Sequence, residues 1–227
     1  MPTTGHEDPP GEAPWALQLV GRVERASRPS RTAVYEAAAM AVVALLADDR
    51  SRPDGEWGPS VERWLAGRIR KIARRARGAD WERVQALPGV TVLQGGAEVR
   101  ALVPGPVDEV PPEVSRLQLR AWGLDDPGAR PDVAPVVGGA VVVSLAAAPL
   151  LSTGKGAAAA GHAAQLAWMM MEPARRRQWA ASGFEVVVEQ PGDLAWLVRR
   201  QTAPVVVVDA GYTEVEPDTC TAVARWV

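Results

Sequence analysis

Four side chains in the last third of the chain are of the types that hydrolytic chemistry draws on: the amine of Lys155, the imidazole of His162, the carboxylate of Asp209 and the hydroxyl of Thr213. Lys155 and His162 stand seven residues apart in a run of small residues, Gly154-Lys155-Gly156-Ala157-Ala158-Ala159-Ala160-Gly161-His162-Ala163. On a helix they project to the same side, two turns apart. Lys155 then falls at the helix N-terminus, where unpaired N–H groups and the helix dipole favour an anion and an ammonium adds further positive charge. Asp209 closes the valine run 205–208 and is followed by Ala210-Gly211, a small pair that lets the backbone turn sharply and leaves room for a ligand. An amine for developing negative charge, a carboxylate or imidazole to move a proton, and a hydroxyl to hold water are the parts of a general acid–base site. Each also has a plain structural use: a lone histidine on an apolar helix is ordinarily a packed residue, and an aspartate at a strand end often closes its own turn. An acyl-enzyme route is disfavoured, because no Gly-x-Ser-x-Gly elbow occurs and the single cysteine, Cys220, falls within an expected strand.

These residues need a strand–helix–strand frame, and the pattern supplies one. Strands are expected at Val141 to Leu145, Phe184 to Glu189, Pro204 to Val208 and Thr219 to Trp226, with helices at about Gly156 to Glu172 and Pro191 to Arg200. Alternation of this kind predicts an α/β fold. Upstream, Trp15 to Val23 reads as a strand and Ser30 to Asp49 as a helix with Ser30 as its N-cap. Gly58 to Arg77 reads as a second helix with an apolar stripe of Val61, Leu65, Ile69 and Ile72. Its other faces carry Arg63, Arg68, Arg70, Lys71, Arg74, Arg75 and Arg77. Val90 to Leu93 and Ala97 to Val103 form an expected hairpin around Gly95-Gly96. The resulting division is a disordered tail at 1–14, an N-terminal α+β domain at 15–124, a Pro/Asp/Gly-rich linker at 125–139 and a second domain at 140–227. No internal repeat is evident.

The run from Gly154 to Ala163, together with Val205-Val206-Val207-Val208-Asp209-Ala210-Gly211-Tyr212-Thr213, resembles the type II peptidyl-tRNA hydrolases. That family cuts the ester joining a peptide to tRNA. The resemblance covers roughly residues 140–227 and implies a three-layer α/β/α sandwich on a four-stranded mixed sheet with one antiparallel strand. It also implies a site of Lys155, His162, Asp209 and Thr213 without metal or cofactor. Asp209 or His162 would orient and partly deprotonate water, Lys155 would stabilise the oxyanion or hold the terminal phosphate, and Thr213 would position the water. Three positions depart from the family pattern, Ala159 for glutamine, Glu189 for lysine and Tyr212 for arginine, and they remove polar or positive groups from the expected groove. With tRNA as the implied partner, the cations Arg70, Lys71, Arg74 and Arg75, and a second set of Arg175, Arg176 and Arg177, become candidate phosphate contacts beside Lys155. A solvated charged face is the plainer use for both sets. Trp168, Trp179 and Trp196 are expected to pack.

Composition fits this frame. A chain of 227 residues with 47% hydrophobic content buries a sizeable core. The single cysteine excludes an internal disulfide and, with only two histidines, argues against a soft-ligand metal site. The first residues lack an apolar signal core, and the stretch from Ala33 to Ala47 is too short for a membrane span and contains Glu36, so a cytoplasmic protein away from membranes is expected. A net charge of −2 neither supports nor opposes an RNA partner. A homodimer is compatible with the sequence. Two functions are expected in competition: an ester hydrolase acting on peptidyl-tRNA, and a non-catalytic tRNA-binding or protein-interaction module on the same fold.

Overall fold

A computed structural model describes residues 8, 11–120, 122–126, 139–211 and 214–227. The chain is an α/β protein built on two mixed sheets. Its first part runs through β1 (Trp15–Arg22), α1 (Arg31–Ala47), α2 (Gly58–Ala66), β2 (Lys71–Ala76), α3 (Ala79–Gln85), β3 (Gly89–Gln94), β4 (Ala97–Leu102), a short β5 (Gly105–Pro106) and α4 (Pro112–Ser115). The second part comprises β6 (Val141–Leu145), α5 (Thr153–Met170), α6 (Pro173–Ala181), β7 (Val186–Glu189), α7 (Asp193–Thr202), β8 (Val205–Asp209) and β9 (Thr219–Trp226).

The two parts share one connectivity. The first sheet has the order β2-β1-β4-β3, with β5 beside β1, and the second has β7-β6-β9-β8. In each, the first two strands pair in parallel, while one strand, β4 in the first and β9 in the second, runs antiparallel to both of its neighbours. The helices correspond as well, α1 to α5, α2 to α6 and α3 to α7. No repeat is visible in the sequence, and the shared topology emerges only in the structure. A topology constrains which positions must be apolar but leaves open which apolar residue fills each, so a duplicated fold can lose its sequence similarity.

The region expected to be one helix from Gly58 to Arg77 is instead a helix and a strand. Gly67 ends α2 in an extended conformation, and Lys71–Ala76 then pairs in parallel with β1, Leu17 against Lys71 through Arg22 against Ala76. Alanine and arginine favour helices locally, yet a strand is the answer that satisfies the exposed edge of β1. The acidic tail is also partly tied down: Asp8 pairs with Arg70 at 2.6 Å, and Glu12 pairs with Arg63.

Helices α1 and α5 lie between the sheets and explain their own composition. Alanine dominates both, joined by valine in α1 and glycine in α5, and one continuous hydrophobic cluster joins Leu17, Leu19, Val99 and Ala101 of the first sheet, through both helices, to Val141, Val143, Val186, Val207 and Ala222 of the second. Besides its own sheet, α1 touches β7, and α5 touches β2. A Cβ added to Gly156 would fall 2.5 Å from the Tyr35 ring, and one on Gly161 would fall 3.1 Å from Val42. The helices therefore run side by side in the same direction, with both N-termini at one end of the molecule. Ser30 and Ser152 cap them, their hydroxyls accepting the Ala33 and Lys155 N–H groups at 3.1 and 3.2 Å. Of the expected linker, Asp126 is described, and it accepts the Thr32 N–H at 2.7 Å at the start of α1. The stretch 127–138 lies outside the described residues.

Candidate functional site

Lys155 and Asp209 meet where α5 begins and β8 ends. The Lys155 Nζ is 2.6 Å from Asp209 Oδ2, and both side chains keep a minor part of their surface open to solvent. Asp209 Oδ1 accepts the Gly211 N–H at 2.9 Å, so the turn that the small pair permits also aims the carboxylate. Gly211 adopts φ +76° with Pro217 directly against it, a position closed to any residue with a Cβ.

A second carboxylate, absent from the expected set, completes this end. Glu214 Oε2 accepts the Ser152 N–H at 3.0 Å and its Oε1 accepts the Ser152 hydroxyl at 2.6 Å. The anion predicted at the helix N-terminus is thus a side chain of the chain itself. The predicted anion preference of a helix start was the one signal pointing there, and a glutamate five residues beyond Asp209 carries no spacing that marks it. From the first half, Tyr35 presses on Gly156, and burial raises its hydroxyl pKa above the ordinary tyrosine value. Thr213 and Tyr212 lie outside the described residues.

His162 occupies a different compartment. Its Nε2 is sealed from solvent and has no hydrogen-bond partner among the described residues. Burial, reinforced by the nearby positive charge of Lys71, holds its pKa well below the usual imidazole value. It projects to the seam between α5 and β2, about 10 Å along the helix from Lys155. Lys71 is in the same seam, hydrogen-bonded to Gln165 and lying 5.0 Å from the Trp64 ring, with its pKa lowered well below normal by burial. The expectation that His162 shares the Lys155 groove is corrected by this packing.

The candidate phosphate contacts of the first half are largely engaged inside the protein. Arg70 pairs with Asp8. Arg74 donates to Gln18 and to the Ser115 and Leu117 carbonyls, each at 3.2 Å, and Arg75 bonds the Gln118 side chain. In the second set, Arg176 donates to the Met169 and Met171 carbonyls, both at 2.9 Å, and stacks on Trp168. Arg175 and Arg177 are exposed. These three sit beside the C-terminal end of α5, about 20 Å from Lys155 by helical rise. Trp168 and Trp179 pack with Phe184 at centroid distances of 5.8 to 6.3 Å, as packing residues do.

Of the three departures, Ala159 is buried in α5. Glu189 is fully buried on the other face of the second sheet. Its Oε1 lies 2.7 Å from Arg199 Nε and 2.9 Å from Arg225 Nη1, and it also accepts the Ser144 hydroxyl. The negative charge expected to repel RNA is therefore enclosed by two arginines under α7.

The first half keeps the frame without the chemistry. Counted from the capping serines, Ala33 stands where Lys155 does and Met40 where His162 does. A Cβ on Gly95, just after β3, would lie 3.1 Å from that of Ala33, an apolar closure in place of the ion pair. Among the described residues no group of three or more His, Cys, Asp or Glu could hold a metal ion, and no helix is long and apolar enough to cross a membrane. No protein-family model, no curated protein and no solved structure matches this chain.

Proposed function

We propose that the chain is a peptidyl-tRNA hydrolase-like esterase of the cytoplasm, acting through Lys155 and Asp209 at the start of α5. The observation that carries this reading is the 2.6 Å pair formed by these two side chains, drawn from distant stretches in the order in which the resemblance has them. Asp209 orients a water and takes its proton as the oxygen attacks the ester carbonyl carbon. Lys155 and the first N–H groups of α5 steady the oxyanion. Collapse breaks the bond to the ribose oxygen, which leaves with the proton that Asp209 took from the water. His162 has no part in the reaction and serves the packing between the halves.

Single-turnover cleavage of formyl-methionyl-tRNA and of diacylated lysyl-tRNA by excess protein tests this. Wild type releases the acyl group, and Asp209→Asn slows release by about a hundredfold or more, in the range of a lost general base. Absence of cleavage by wild type at high protein concentration refutes the hydrolase. A second reading, a non-catalytic tRNA-binding or protein-interaction module, is favoured by Glu214 occupying the helix start. Binding of the same tRNA with the ester left intact selects it.

A further inference from the structure

Helix α7 buries none of its residues. Its sheet side is marked by Arg199, which reaches Glu189, and by the half-buried Ala195 and Trp196. Leu194, Leu197 and Val198 lie on the opposite side with i, i+3, i+4 spacing and are 81%, 44% and 59% exposed. The corresponding helix of the first half is closed in: Trp81 and Val84 of α3 are buried together with Val114 and Leu117 from the segment that bears α4. Val208, near the end of β8, is 52% exposed as well. An apolar stripe facing away from its own core marks a contact surface.

Charge placement says what covers it. Asp193 and Arg200 are both exposed and stand seven residues apart, so they flank the stripe on the same side. In an antiparallel helix pair each flank meets the same flank of the other helix, so a two-fold axis midway between them sets Asp193 against Arg200 twice over. We propose that α7 is a homodimer surface, on which two copies of the chain associate through antiparallel α7 helices that bury Leu194, Leu197 and Val198 between matched Asp193–Arg200 pairs. The contact is separate from the α1–α5 packing that already joins the two halves of one chain. It is small beside the roughly 1,600 Å² of a standard interface, so the dimer is weak and reversible.

Sedimentation velocity from low to high micromolar concentration tests it on the full chain. Wild type passes from monomer to dimer as concentration rises. Leu197→Glu stays monomeric, Asp193→Arg and Arg200→Asp each weaken the dimer about tenfold, and the two charge changes in one chain restore it. All three positions are exposed, and circular dichroism verifies that each variant is folded. A wild type that is monomeric throughout, a Leu197→Glu variant that dimerises like wild type, a double variant no better than the single ones, or assembly beyond a dimer each overturns the proposal.

Discussion

Glu214 sits on the capping serine of α5, its two carboxylate oxygens accepting the Ser152 N–H at 3.0 Å and the Ser152 hydroxyl at 2.6 Å. It fills the position at which a helix start would welcome a substrate phosphate or oxyanion. Glu214→Ala is expected to leave the fold intact, since the hydroxyl of Ser152 still caps the helix, and to raise kcat/KM on blocked aminoacyl-tRNA about three- to tenfold. Initial-rate kinetics measure it. An unchanged or lower kcat/KM shows that the glutamate does not compete with substrate.

His162 should limit stability in acid. Its pKa in the folded chain lies below the unfolded value near 6.5. Below about pH 6.5, therefore, the unfolded chain binds a proton that the folded chain refuses, and stability falls as the pH drops towards the folded pKa. His162→Met, the residue at the matching place in the first half, removes this loss, so the gap between variant and wild type widens by up to about 1.4 kcal/mol for each pH unit below 6.5. Urea titrations between pH 7 and pH 5 read the gap. Turnover is expected to be preserved, and a variant that is stable yet inactive returns His162 to the chemistry.

Glu189 holds Arg199 and Arg225 together on the face away from α5. Glu189→Gln leaves two guanidiniums beside a neutral amide. Buried pairs broken from one side cost about 3–5 kcal/mol, and because both arginines are partly exposed about 2 kcal/mol is expected here. Chemical denaturation gives the value. Affinity for tRNA, followed by fluorescence anisotropy, should stay the same, and a marked rise would place the carboxylate at the RNA surface.

The close approach of α1 and α5 depends on Gly156, where an added methyl group would fall 2.5 Å from the Tyr35 ring. Gly156→Ala forces the helices apart and is expected to cost about 1–3 kcal/mol despite alanine's better helix propensity. Thermal unfolding should register a drop of about 2–4 °C for each kcal/mol. A Tm at or above that of wild type would mean the ring moves aside freely.

Much of the local structure was legible in the residues. The capping serine Ser30, the valine runs of β6 and β8, and the glycines of the β3–β4 hairpin each act on their near neighbours, so the element types emerge wherever local preference and final structure agree. Lys71–Ala76 departs from its local preference for the converse reason. Its residues prefer a helix, and the unsatisfied edge of β1, some fifty residues earlier in the chain, decided otherwise.

The sequence by itself determined that the chain is α/β, and that Lys155 lies at a helix start and Asp209 at a strand end, because periodicity, caps and small residues act over a few positions. Only the tertiary structure decided that the halves repeat one topology, that His162 and Lys71 are sealed in the seam between them, that Glu189 is enclosed by arginines and that Glu214 occupies the helix start. Those outcomes depend on which surfaces exclude water and which charges meet across long loops. Such contacts are fixed by the packing of whole layers, and no spacing along the chain records them.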